Sequence, residues 1–326
     1  TPQEQFNLIG AGRRNILING DFQVSQRGDY TSASTMPNAY VLDRWLCDRN
    51  GTATVQHTSG HDIPGTPAIC KAIKLVQTVT GNNYLGVRQK IENPTQYVGR
   101  TITYSAWVRS NTPNARIEWY TQGTTQTAIG PAHSGSGEWE YLSFTTTMTG
   151  NPSTNWYVDA FIDNGTYTNT TITAGEYIEV TMLQLELGKF ATPFEHRSYG
   201  EELALCQRYF EVLEDLQSTD SNGAASTETL LGLGYVYTTT RVMGHITWKA
   251  TKRVNPTCTV SPVTDIQCLS TAGAWISATG VDVRANKNSA RFDITTGSAM
   301  QAAGQGCEVR FNSASPVGYI YIDAEL

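Results

Sequence analysis

The chain has 326 residues, of which 39% are hydrophobic and only 16% charged, and its formal net charge is −6. That length is ample for two cores, the scattered Lys and Arg form no basic run that would neutralise phosphates, which argues against a nucleic-acid partner, and no apolar run approaches the length of a membrane-spanning helix. The charged share falls below the usual quarter, and Thr, Ser, Asn and Gln make up the difference; their uncharged groups donate and accept hydrogen bonds, which suits neutral sugars.

Residues 1–14 are polar with glycines and read as a linker or stalk junction; Thr1 without a Met or a signal-peptide pattern reads as a fragment or a trimmed start. Short β-branched and aromatic runs then alternate with clusters of Gly, Asn, Pro and Ser. The runs TITYSAWVRS (101–110), ARIEWYTQ (115–122), WEYLSFTTTM (139–148), WYVDAFID (156–163) and EYIEVTMLQLEL (176–187) are separated by turn signals such as NTPN (111–114) and HSGSGE (133–138). Such spacing predicts a sandwich or jelly roll over 15–197.

The rhythm changes after residue 197. Leu203, Cys206, Tyr209, Phe210 and Leu213 recur at helical spacing, with Ser198 or Gly200 placed to cap and Glu201 and Glu202 in the first turn. A connecting helix is therefore expected over 198–216, then a loop over 218–228. Strand signals resume in YVYTTT (235–240), HITWKA (245–250), PTCTVS (256–261), GVDVRA (280–285), SARFDI (289–294), CEVRFN (307–312) and VGYIYIDAEL (317–326). The expected fold is all-β: an N-terminal jelly roll, a connecting helix and a smaller C-terminal β-sandwich over 217–326. Six cysteines carry no C-x-x-C pair, so neither a zinc nor a redox motif is indicated. Buried free thiols are expected, with a Cys258–Cys268 bridge as the exception considered.

Several segments resemble phage tail-fibre and related virion spike proteins that carry a carbohydrate-binding-module-like jelly roll. They are NILINGDFQVSQRG (15–28), LDRWLC (42–47), TYSAWVRS (103–110) and above all LQLELGKFATPFEHRSYGEELALCQRYF (183–210). Head spikes of gene-transfer-agent particles look similar too. The resemblance covers about residues 15–210 and is weaker beyond 211. It implies a receptor-binding virion surface protein, made in the bacterial cytoplasm and usually a homotrimer with other fibre or spike subunits as neighbours. It would attach to host cell-surface polysaccharide without cleaving it. A capsule-degrading glycoside hydrolase and a passive structural connector are the alternatives. Jelly rolls of this type often hold a structural calcium, for which Asp21 and Asn19 offer oxygens, although the residue after Phe22 is Gln23 rather than an acid.

Candidate saccharide contacts are aromatic platforms with polar neighbours, since a pyranose offers an apolar face and a rim of hydroxyls. In 115–122, Ile117 and Trp119 share one strand face, and Arg116, Glu118, Tyr120 and Gln122 the other. Trp119, Tyr120 and Gln122 are therefore candidates. Trp156 and Tyr157 follow a turn directly, and Trp275 lies in a Gly/Ala/Ser loop; all three join the set. Trp107 shares a face with Ser105 and Arg109, as a second-layer aromatic or a platform, while Trp45 and Trp139 read as packing residues. His57 and His61 sit in a loop-like stretch unsuited to zinc. Asp159, Asp163, Glu176 and Glu179 lie close in sequence, and Asp159 and Glu179 are possible cross-strand neighbours. Nothing fixes the separation that glycoside hydrolysis needs, and no catalytic residue is assigned.

Overall fold

The computed structural model describes residues 14–28, 30–64, 70–122, 127–149, 155–164, 170–214, 218–219, 225–226, 230–270, 272–300, 302–311 and 318–325. The expected linker, apart from Arg14, and most of the loop over 218–228 lie outside them. Contacts divide the chain into two compact units, Thr1–Leu203 and Ala204–Glu325.

The first unit is a sandwich. Its strands are β1 (Ser34–Thr35), β2 (Ala39–Leu42), β3 (Trp45–Arg49), β4 (Ala53–His61), β5 (Cys70–Gln77), β6 (Gly81–Asn83), β7 (Leu85–Lys90), β8 (Thr101–Ser110), β9 (Ala115–Thr121), β10 (Thr127–Ala132), β11 (Trp139–Thr147), β12 (Trp156–Ile162), β13 (Thr170–Ile172) and β14 (Tyr177–Leu187). One six-stranded sheet runs β1-β4-β5-β14-β8-β11; the other runs β10-β9-β12-β7-β3-β2. All pairings are antiparallel, so side chains alternate between the core and the outer face of each sheet. From the first sheet, Ile102, Tyr104, Ala106, Val108, Ile178, Val180 and Leu185 point inward. From the second, Val87, Ile117, Trp119, Trp156, Val158 and Ala160 meet them in one core. Burying each of the larger ones stabilises the fold by about 1.5–3 kcal/mol.

One α-helix, α1 (Tyr199–Gln207), is present among the described residues. It is shorter than expected: Phe210–Glu214 forms strand β15 instead. Phe210, Glu211, Val212 and Leu213 pair with Asp323, Ile322, Tyr321 and Ile320. An aromatic and β-branched run with a waiting partner strand takes the β conformation over a marginal helical periodicity.

The second unit adds β16 (Ser218–Thr219), β17 (Ala225–Ser226), β18 (Leu230–Thr238), β19 (Arg241–Thr247), β20 (Thr257–Val260), β21 (Ile266–Leu269), β22 (Trp275–Ala285), β23 (Ser289–Thr296), β24 (Gly306–Phe311) and β25 (Tyr319–Asp323). Strands β18-β19-β23-β22-β21-β24 close into a barrel, β15-β25-β20 form a three-stranded sheet, and β16 pairs with β17. Closure removes the open edges that a small sandwich would have to protect. Val236, Val242, Ile266, Ile294, Val309 and Phe311 fill the interior. All six cysteines are free thiols.

Candidate functional site

The outer face of the first sheet carries a groove of about 510 Å³, within the ~300–1,000 Å³ usual for small-ligand sites. Register builds its floor. Trp107 on β8 stands opposite Tyr141 on β11 and Thr181 on β14; Ser105 stands opposite Ser143 and Gln184. The Trp107 and Tyr141 rings lie 5.4 Å apart at 53°, and Tyr141 hydrogen-bonds Ser105. Between Thr181 and Gln184 the β14 register slips by one residue, a bulge, with Met182 at φ 51°. The bulge turns Met182 into the groove floor, while the Leu183 N–H, on the core side, reaches the Gly20 carbonyl at 2.9 Å.

The groove wall is the segment after β14. Thr192 donates from its backbone N–H to Glu186 Oε1 (2.8 Å) and from its hydroxyl to Oε2 (2.7 Å). Gln184 donates to the Thr192 carbonyl (3.1 Å) and accepts from the Glu195 N–H (2.8 Å). Two outward side chains of β14 thus pin Ala191, Thr192, Pro193, Phe194 and His196 beside the sheet. The Phe194 and His196 rings meet edge to face, 5.0 Å apart.

The aromatic row continues along β11. Trp139, half-buried, lies 5.2 Å from the Arg109 guanidinium and 5.3 Å from the His61 ring. Beneath them the buried Glu179 carboxylate accepts from Arg109 Nε (2.9 Å) and the Thr58 hydroxyl (2.6 Å), with His61 Nε2 3.1 Å away. Burial lowers the His61 pKa, opposed by Glu179 and reinforced by Arg109 and Lys74. The stretch expected as a loop is therefore the end of strand β4, and His57 sits apart, bound to the Phe22 carbonyl at 3.1 Å.

The residues singled out from sequence fall elsewhere, and the structure splits them. Trp119 and Trp156 are core residues, rings 5.3 Å apart and nearly perpendicular; a ring enclosed on all sides offers no face to a ligand. Tyr120 and Tyr157 pair across β9 and β12 on the outer face of the second sheet, rings 6.0 Å apart and near parallel. Arg88 lies over both and over Phe161 at 5.5, 4.7 and 5.1 Å, bidentate to Asp159 (3.2 and 2.7 Å) and bonded to Asp48 (3.0 Å). Gln122 is exposed and accepts from Asn155 at 2.6 Å. Trp275 opens strand β22 rather than lying in a loop, and the Arg310 guanidinium covers one of its faces at 3.7 Å.

Two other expectations concern an acid pair and a calcium site. Asp159 and Glu179 are not cross-strand neighbours; β12 and β14 belong to different sheets. Asp159 and Glu118 are buried in the second sheet, their pKa values raised to about 6 and about 9, first by desolvation. The two residues expected to offer oxygens to calcium have protein partners. Asn19 uses its amide to hold a turn, accepting from the Val24 N–H (3.0 Å) and donating to the Val24 and Asp43 carbonyls (2.9 and 3.0 Å). Asp21 is paired with the Gln23 amide, and desolvation raises its pKa. Among the described residues, no group of three or more His, Cys, Asp or Glu is arranged to hold a metal.

Alternation alone carried part of the groove, placing Ser105, Trp107 and Arg109 on one face. What sequence missed is the partner set: Tyr141 through cross-strand register, Met182 through the bulge, and Phe194 and His196 through the pinned wall.

No known family profile and no curated sequence matches the chain. Solved structures similar to about half of it include the enzymatically active domain of tailspike protein 4 of bacteriophage CBA120. That match has 16% identity over 53% of this chain and 21% of the tailspike, with a TM-score of 0.36. Another is TmCBM61 bound to β-1,4-galactotriose (12% identity, 55% of this chain and all of that one, TM-score 0.32). A third is the xylan-binding domain of CBM 22 (12% identity, 51% and 99%, TM-score 0.32). The chain thus spans about a fifth of the tailspike domain's length.

Proposed function

We propose that this chain is the receptor-binding part of a phage-like tail fibre or head spike, and that it attaches to host cell-surface polysaccharide through the groove of the first sheet without cleaving it. The observation that carries the reading is the floor and wall of that groove. Trp107, Tyr141 and Phe194 supply ring surface, and the Tyr141 and Thr192 hydroxyls and the His196 ring supply polar groups beside it. Rings take the apolar face of a pyranose and the neutral groups its hydroxyls. The virion setting rests on the resemblance of residues 15–210. Binding rather than cleavage is supported by the acids: Glu118 and Asp159 are buried and Glu179 is engaged by donors on the outer face of the other sheet. A single open groove binds weakly, because sugars give up good hydration for modest contacts; a homotrimer with many copies per particle would raise avidity without new contacts.

The test is calorimetric titration of the full chain with oligosaccharides from host capsule. Trp107→Ala and Tyr141→Ala should each weaken binding by about tenfold or more, the loss expected for removing a stacked ring at ~1.4 kcal/mol. Tyr120→Ala should leave it within about twofold. Equal binding by all three variants would remove the groove from the mechanism. Sustained release of reducing ends from the capsule would replace attachment with depolymerisation, and no binding to host cells with or without capsule would leave a passive connector.

A further inference from the structure

The barrel holds two of the six thiols side by side. Cys268 on β21 faces Val309 on β24, so Cys307, two residues earlier on β24, is its diagonal neighbour on the same inward face. Both belong to the barrel core. The two thiols hydrogen-bond each other, and Cys307 Sγ also reaches the Leu269 carbonyl at 3.4 Å. The expected partner Cys258 lies instead on β20, in the three-stranded sheet.

The pair is unequal. The hydrogen bond from Cys268 lowers the Cys307 pKa, while the same contact and burial raise that of Cys268. Cys307 is thus the nucleophile-forming member and Cys268 the proton keeper. Cys307 is also the less enclosed, 5% exposed against 0%, and it follows the exposed Gly306 at the start of β24.

We propose that Cys268 and Cys307 are an oxidation-driven clamp, closing to a disulfide that joins β21 to β24 when the protein meets a peroxide. The Cys307 sulfur attacks hydrogen peroxide, the O–O bond breaks, and one water leaves with the thiol proton, giving a sulfenic acid. The Cys268 sulfur then attacks the Cys307 sulfur, the S–O bond breaks, and a second water leaves with the Cys268 proton. Two thiols and one peroxide become one disulfide and two waters, two electrons passing from sulfur to oxygen. The two side chains already share the inward face of strands that are paired to each other, so closure joins neighbours without unpairing β21 from β24. A cross-link between residues far apart in sequence restricts the unfolded chain and stabilises the barrel.

The experiment treats the full reduced chain with hydrogen peroxide, alkylates remaining thiols under denaturing conditions, and maps peptides without reduction. A Cys268–Cys307 linked peptide is expected, two hydrogens lighter than its parts and absent after dithiothreitol. The melting temperature of the barrel should rise by roughly 5–10 °C and fall back on reduction. Cys268→Ser should leave a dimedone-reactive sulfenic acid at Cys307 and no rise. Recovery of both cysteines alkylated, at peroxide levels that oxidise a free cysteine peptide, overturns the clamp. So does a bridge from either cysteine to a different partner.

Discussion

Burial meets two carboxylates of the sandwich in opposite settings. Glu179 is enclosed among Arg109, Thr58 and His61, each placed to donate. Glu118 has no such donor; burial pushes its pKa up to about 9, with the charges of Asp163 and Asp159 adding to the rise. A pKa raised on folding means that the native state holds a proton the unfolded chain has released. The resulting stability is complete below the unfolded value of 4.5 and is lost as pH rises through about 9. Inside that window the slope is at most about 1.4 kcal/mol per pH unit for one proton. Asp159, raised to about 6, has released its proton above that value, so from about pH 6.5 to about pH 8.5 Glu118 still holds its proton after Asp159 has ionised. Glu118→Gln keeps the shape and removes the titration. Its melting temperature should stay nearly level across that interval while the parent's falls, and a parallel fall in both would show that Glu118 is already ionised.

At the scale of the element, the β14 bulge sets the groove, and a glycine on another segment permits it. A Cβ on Gly20 would stand 2.2 Å from the Leu183 carbonyl oxygen and 3.3 Å from the Phe194 ring. Gly20→Ala should therefore cost about 2–3 kcal/mol in unfolding free energy and also weaken glycan binding, because the floor and the wall shift together. Normal binding with lowered stability would separate the bulge from the site. This dependence explains what could be read in advance. The run 101–110 became β8 over the same residues, because alternation and bounding turns are local signals. The helix boundary was not local: Phe210–Glu214 turned to strand on the availability of β25, about a hundred residues later. The choice of face failed for a related reason. Strand β12 alternates Trp156, Val158 and Ala160 against Tyr157, Asp159 and Phe161, with an aromatic in each set. Which set meets the core depends on the opposite sheet, and a position next to a turn does not reveal that Trp156 faces inward.

For the whole molecule the scarcity of charge is the governing fact, and many of the charges present are already paired. Arg88 holds Asp48 and Asp159, Arg109 holds Glu179, Arg197 holds Glu195 and Glu202, and Arg241 holds Asp293. Lys252 and Glu211 pair at 2.6 Å with both side chains buried. Among the described residues, the groove lining holds no Asp, Glu, Lys or Arg. Recognition through the proposed groove would rest on ring contact and neutral hydrogen bonds, which ionic screening hardly touches; a contact between exposed charges would weaken as the Debye length falls from ~10 Å at 0.1 M to ~3 Å at 1 M. Binding of a neutral host oligosaccharide should accordingly change by less than about threefold across that range of sodium chloride. The titration is the same one that scores Trp107→Ala, repeated at each salt concentration. A steep loss of affinity with salt would place recognition on charges such as Lys74 and Arg109, away from the aromatic floor. Salt-independent affinity that falls with the Trp107 ring would leave stacking and hydroxyl recognition as the basis of attachment.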